Sequence, residues 1–112
     1  MGVLIMKEFM YKILQIDDSR DTNYLFMRWE FAKSHEFDIH DYKEVYLGSI
    51  WCEEDDVNAA LEKLFVKFNQ NHPIDFHGHS LSVSDIVVIN NIHHYCDSLG
   101  WTCIQDYVGY SL

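Results

Sequence analysis

Proline is almost missing from this chain: Pro73 is its single example in 112 residues, and no repeat, linker or low-complexity segment interrupts the sequence. One domain is therefore implied. Cations are scarce too. Lysine and arginine together number 8 against 18 acidic residues, a formal net charge of −10, and arginine occurs only at Arg20 and Arg28. Nucleic acid phosphates repel such a surface unless its few cations cluster on one face. A basic partner, such as the groove of a nucleic-acid-binding protein, suits it better. Cys52, Cys96 and Cys103 are odd in number and lack C-x-x-C spacing, which argues against a disulfide framework and fits a reducing cytoplasm. No apolar run reaches membrane-spanning length, and the opening MGVLIM is too short for a signal peptide. Met6 stands where an N-myristoylation pattern needs serine or threonine, so that anchor is incomplete. The expectation is a soluble cytoplasmic protein.

What is present is a good supply of core material: 48% hydrophobic and 15% aromatic residues. The run FMYKILQI, Phe9 to Ile16, reads as a central strand. DDSRD then offers helix-start residues, and Leu25, Trp29 and Ala32 at i, i+4 and i+7 predict a helix over 20–35, widened by Tyr24, Met27 and Phe31. In YKEVYLGSIW, Val45, Leu47 and Trp51 alternate on one face of a second strand. Val57, Ala60, Leu61, Leu64, Phe65 and Phe68 keep helical rhythm behind the acids Glu53, Glu54, Asp55 and Asp56, until NQNHP ends the helix. DIVVIN, a tight Asn90-Asn91 turn and IHHYCD form a hairpin, and DSLG turns again into WTCI. The predicted fold class is α+β: a mostly antiparallel sheet of about four to five strands with two helices packed on one face.

The stretch DFHGHSLSVSDIVVIN raises the chemical questions. If extended, it would put His77 and His79 on one face, and His93, His94, Cys96 or Asp75 could complete a zinc site. Gly78 between the histidines suggests a turn instead, and no recognised metal spacing is present; neither a metal nor another cofactor is expected. His77, His79, His93 and His94 could supply the acid and base of a metal-free ribonuclease, although cations for the scissile phosphate are few. Cys96 would share its strand face with His94 alone and reads as a buried structural thiol. The serines have no G-x-S-x-G elbow; Ser82, Ser84 and Asp85 are expected to bond nearby backbone amides and fix the turn before the strand, with Leu81 and Val83 pointing inward. Asp17, Asp18 and Asp21 open the first predicted helix as Glu53 to Asp56 open the second. Ordinary capping accounts for their positions, but not for the acidic excess of the whole chain.

At HPIDFHGHSLSVSDIVVI, followed by HHYCDSLGW, the sequence resembles the YodL-like family, common in mobile elements of Gram-positive bacteria. The matching positions are Phe76, Gly78, His79, Ser80, Ser82, Val83, Ser84 and Asp85, then Tyr95, Asp97, Ser98, Gly100 and Trp101. YKILQID and NYLFMRWEF resemble the family's first strand and helix, so the likeness spans roughly residues 9 to 105. Cys96 and Trp101 depart from the valine and phenylalanine of the family pattern. Small acidic proteins resembling this family are associated with anti-CRISPR activity, which implies a non-enzymatic inhibitor that binds a type II CRISPR effector nuclease. It would block guide-RNA loading or target-DNA entry through Asp17, Asp18, Asp21, Glu53, Glu54, Asp55 and Asp56. A small ribonuclease that trims the guide, or a regulator of another host protein, are the alternatives.

Overall fold

The computed structural model describes residues 6–53 and 55–109, so Glu54 lies outside the described residues. The chain runs β1 (Lys7–Ile16), α1 (Trp29–Ser34), β2 (Tyr42–Cys52), α2 (Val57–Gln70), β3 (Ile86–Ile89), β4 (Ile92–Asp97) and β5 (Gly100–Cys103). Single 3-10 turns precede β2 and follow β5. All strand pairs are antiparallel, in the order β2-β1-β3-β4-β5. This is the expected α+β fold with a five-stranded sheet. No helix among the described residues is long and apolar enough to cross a membrane.

The central strands are apolar on both sides, and a strand's side chains alternate between faces. Phe9, Tyr11 and Ile13 of β1 join Val87 and Ile89 of β3 under Ala60, Leu61, Leu64 and Phe68 of α2. Ile16, Ile86 and Tyr95 point the other way, against Tyr24, Trp29, Ala32 and Ile104. The two helices therefore flank opposite faces, which corrects their expected placement on one. The apolar neighbours Ile13–Leu14 of β1 and Ile86–Ile89 of β3 carry the reason: consecutive strand residues point to opposite faces, so each face there needs cover.

α2 behaves as its sequence pattern dictates. Asp56 caps it, accepting the Asn58 amide at 3.0 Å. Its fully buried Leu61, Leu64 and Phe68 each stabilise the fold by about 1.5–3 kcal/mol relative to exposure. The hairpin is also as read, with Asn90 and Asn91 at φ 54° and 64°, the left-handed pair that a type I′ turn requires.

The helix predicted over 20–35 shrinks to six residues, Trp29–Ser34. Upstream amides have found tertiary acceptors. Phe26 N–H donates to Ser84 Oγ at 2.9 Å and Trp29 N–H to Asp97 Oδ1 at 3.1 Å, while Phe26 sits at φ 64°, incompatible with an α-helix. DDSRD forms an aspartate turn instead of a helix start, because Asp17 Oδ1 accepts from both Ser19 N and Oγ at 3.0 Å. The reading of β2 also changes. Ile50 and Cys52 are its buried residues, whereas Leu47 and Trp51 face solvent. A register shift between Ile13 and Leu14, with Ile13 opposite Tyr46 and Leu14 opposite Glu44, takes Val45 out of the alternation.

Candidate functional site

The segment carrying GHSLSVSD is a loop, so His77 and His79 do not share a strand face. It is tied to β1 through Gln15, a buried amide between the apolar Leu14 and Ile16. Gln15 Nε2 donates to the His79 carbonyl at 2.8 Å and to Asp85 Oδ2 at 3.1 Å. Asp85 Oδ2 also accepts the Ser82 amide at 2.8 Å, and Asp85 N–H returns a bond to the Ser82 carbonyl at 3.0 Å. Gly78 approaches so closely that a Cβ there would lie 2.5 Å from Gln15 Oε1 and 2.8 Å from the Phe76 ring. The turn-fixing role expected of Ser82 and Asp85 is thus present. Ser84 works at longer range: at φ 84°, it holds the Phe26 amide with its hydroxyl and accepts Tyr42 OH on its carbonyl at 2.6 Å. Ser80 contributes its carbonyl, which receives Ser82 Oγ at 2.6 Å and His79 Nδ1–H at 2.8 Å. Leu81 is buried as read, while Val83 is only half-buried.

Asp85 is completely buried, and its Oδ1 has no hydrogen-bond partner among the described residues. Burial pushes its pKa up to about 8, only partly offset by the bonds from Ser82 and Gln15. The carboxyl therefore holds its proton at neutral pH. Oδ1 is the oxygen left to carry it, and it faces His79 Nε2 at 3.6 Å. The His79 ring, with Nδ1 committed to Ser80 and Nε2 turned toward Asp85, packs edge-on against Phe26 with centroids 5.6 Å apart. This geometry locks a loop to a sheet, with the exposed His79 ring at the edge of a cleft of about 370 Å³.

His77 lines the same cleft as His79, but the other two nominated histidines lie elsewhere, in β4. His93 and His94 are consecutive in β4 and point to opposite faces. His93 bonds Gln105, and burial lowers the pKa of both rings. The Cys96 thiol is buried, and burial followed by the nearby Asp85, Asp97 and Glu62 charges pushes its pKa up to about 12. That suits packing, not nucleophilic attack. Sequence reasoning missed Gln15, Phe26 and the bonding of Asp97. Asp97 accepts Trp29 N–H, Ser98 N–H at 2.8 Å and Thr102 Oγ1–H at 2.7 Å. Burial opposes its ionisation, but those bonds prevail and its pKa falls below the ordinary value. A glutamine within YKILQI was the one visible hint of the buried network.

The acids nominated for partner contact fall into two groups. Asp17, Asp18 and Asp21 follow the end of β1, while Glu53, Asp55 and Asp56 follow the end of β2. Because Lys7 pairs with Cys52 and Ile16 with Tyr42, the groups sit at opposite ends of one ladder, roughly 30 Å apart at 3.4 Å per residue. The first group adjoins an acidic cleft of about 440 Å³ lined by Asp21, Tyr24, His35, Glu36, Asp38 and Asp41. In the second, Asp56 caps α2 and Asp55 pairs with Lys7 at 2.8 Å. Asp18, Asp21 and Glu53 are exposed.

A family model described as a YodL-like domain matches residues 10–107. The chain belongs to the YodL-like domain family. That match takes in the whole loop lock and nearly all of the sheet, so the YodL-like domain and the folded body coincide. No curated protein and no solved structure matches the chain.

Proposed function

We propose that this YodL-like domain is a non-enzymatic cytoplasmic binding protein of a mobile genetic element. Its partner is the cationic nucleic-acid channel of a type II CRISPR effector nuclease, where it interferes with guide-RNA loading or target-DNA binding. The observation that supports this most is the surplus of solvent-facing carboxylates. Among the described residues four lysine or arginine side chains pair with acids, at Asp55, Glu44, Asp41 and Glu30. The remaining acids give the surface a strongly negative field. An RNA-guided nuclease holds guide and target in positively charged channels, and such a field steers a small acidic body toward them. With the motif residues absorbed in the loop lock, binding draws on the surface and leaves the lock as scaffold.

A direct test mixes the purified domain with guide-free and guide-loaded nuclease at low and physiological ionic strength. Binding to the guide-free form, weaker binding to the loaded form and a decline with salt are expected. Indifference to the nuclease at low salt would remove the proposal, and pull-down from a bacterial lysate would then name the partner of a different regulatory role.

A further inference from the structure

One half of the sheet is covered on one side only. Along β1 and β2, Glu8 faces Trp51, Met10 faces Ser49 and Lys12 faces Leu47, all pointing away from the α2 core. Met10, Leu47 and Trp51 are 59%, 57% and 51% exposed. The short α1 cannot reach them, because its Trp29 is spent on Tyr95 of β4, with ring centroids 5.1 Å apart. Two shallow clefts run into one another across this face. One, of about 250 Å³, is lined by Glu8, Met10, Leu47 and Asn90; the next, of about 480 Å³, by Leu14, His93 and Gln105; Lys12, Val88 and Asn91 belong to both.

We infer that this open face of the β1–β2 ladder, centred on Met10, Leu47 and Trp51, is the contact surface for a basic protein partner. The inference rests on the function proposed above and gives its place on the molecule. Met10 lies diagonally across the ladder from both Leu47 and Trp51, and large apolar side chains clustered on an open sheet face mark an interaction site more than scattered ones do. Charge then selects the occupant. Glu8 and Glu44 lie on the face, Glu53 and Asp55 border it at one end, and Asp17 and Asp18 lie beyond the other. Lys7 and Lys12 offset Asp55 and Glu44, so Glu8, Glu53, Asp17 and Asp18 carry the acidic excess. A second copy of this chain would bring the same acidic border and a charge of −10 to the contact, whereas a cationic surface is complementary at both ends. An arginine from that surface can lie on the exposed Trp51 ring, with aliphatic side chains over Leu47 and Met10.

The test measures affinity for guide-free type II nuclease with Leu47→Glu, Trp51→Ala and, as control, Ile74→Glu. The control site is 97% exposed in the segment after α2, two residues before Phe76 of the α2-side core. Circular dichroism and thermal melting confirm that each variant is folded. Leu47→Glu and Trp51→Ala are expected to weaken binding at least tenfold, with Ile74→Glu within twofold of wild type. Wild-type binding that both face variants retain within twofold overturns this inference alone. Absence of wild-type binding overturns the parent reading and this one together. Sedimentation of the protein alone supplies the remaining arm: a wild-type dimer that Leu47→Glu dissociates assigns the face to a second copy and also overturns it.

Discussion

Asp85 shows how one buried carboxyl couples a loop to pH. Its pKa is about 8 in the folded protein against 3.8 in an exposed chain. Between those values the folded state holds a proton that the unfolded state has lost, so stability falls as pH rises across the window. Asparagine keeps a carbonyl for Ser82 and Gln15 without a titrating group. Asp85→Asn is therefore expected to flatten the dependence of melting temperature on pH between about 5 and 8 and to melt above wild type at the upper end. Parallel curves for the two proteins would show that Asp85 does not titrate there. Gly78 makes the opposite demand on the same lock. Gly78→Ala forces a methyl against Gln15 Oε1 and the Phe76 ring, with an expected loss of about 1–3 kcal/mol in urea unfolding, the range for overpacking. The turn chemistry around Asp85 was legible because Ser82 is only three residues away. Gln15 was not, since its partners His79 and Asp85 lie 64 and 70 residues along the chain.

At the level of elements, the contrast between α1 and α2 is instructive. α2 has fourteen residues, a cap and an apolar stripe, and was legible in extent, although Phe65 of the expected stripe is exposed. α1 has six, too few to persist alone, and depends on Trp29 sitting among Phe37, Tyr95 and Tyr107. Trp29→Ala should cost about 3–5 kcal/mol and release α1 from the sheet, seen as lost protection of its amides in hydrogen exchange. Val66→Ala on the exposed side of α2 should shift stability by less than about 0.5 kcal/mol. Apolar periodicity over 20–35 is real, but it marks a segment that packs through Tyr24 and Trp29, not one that is helical along its length. Tertiary bonds from Ser84 and Asp97 decided where the helix could begin.

For the whole molecule, the arrangement of charge matters more than its total. Acidic groups stand at both ends of the β1–β2 ladder, with the open apolar face between them. A contact touching both must run along that ladder. Binding to a basic partner should weaken with salt, because opposing charges are screened beyond about 8 to 10 Å at physiological ionic strength. Reversing Glu53 and Asp55 to lysine, while keeping Asp56 as the cap of α2, should reduce both affinity and salt sensitivity. Reversing Asp18 and Asp21 tests the other end independently. If either pair leaves affinity and salt sensitivity unchanged in a binding titration, that end of the ladder lies outside the interface.

The sequence alone determined the α+β class, the strand segments, α2 and the asparagine hairpin, because each follows from periodicity and turn chemistry within a few residues. Only the tertiary structure decided that the helices flank opposite faces, that Leu47 and Trp51 point outward, and that Gln15 joins His79 and Asp85 in one buried network. Those outcomes depend on which distant groups compete for the same amides and the same apolar cover, and a local pattern does not encode that competition.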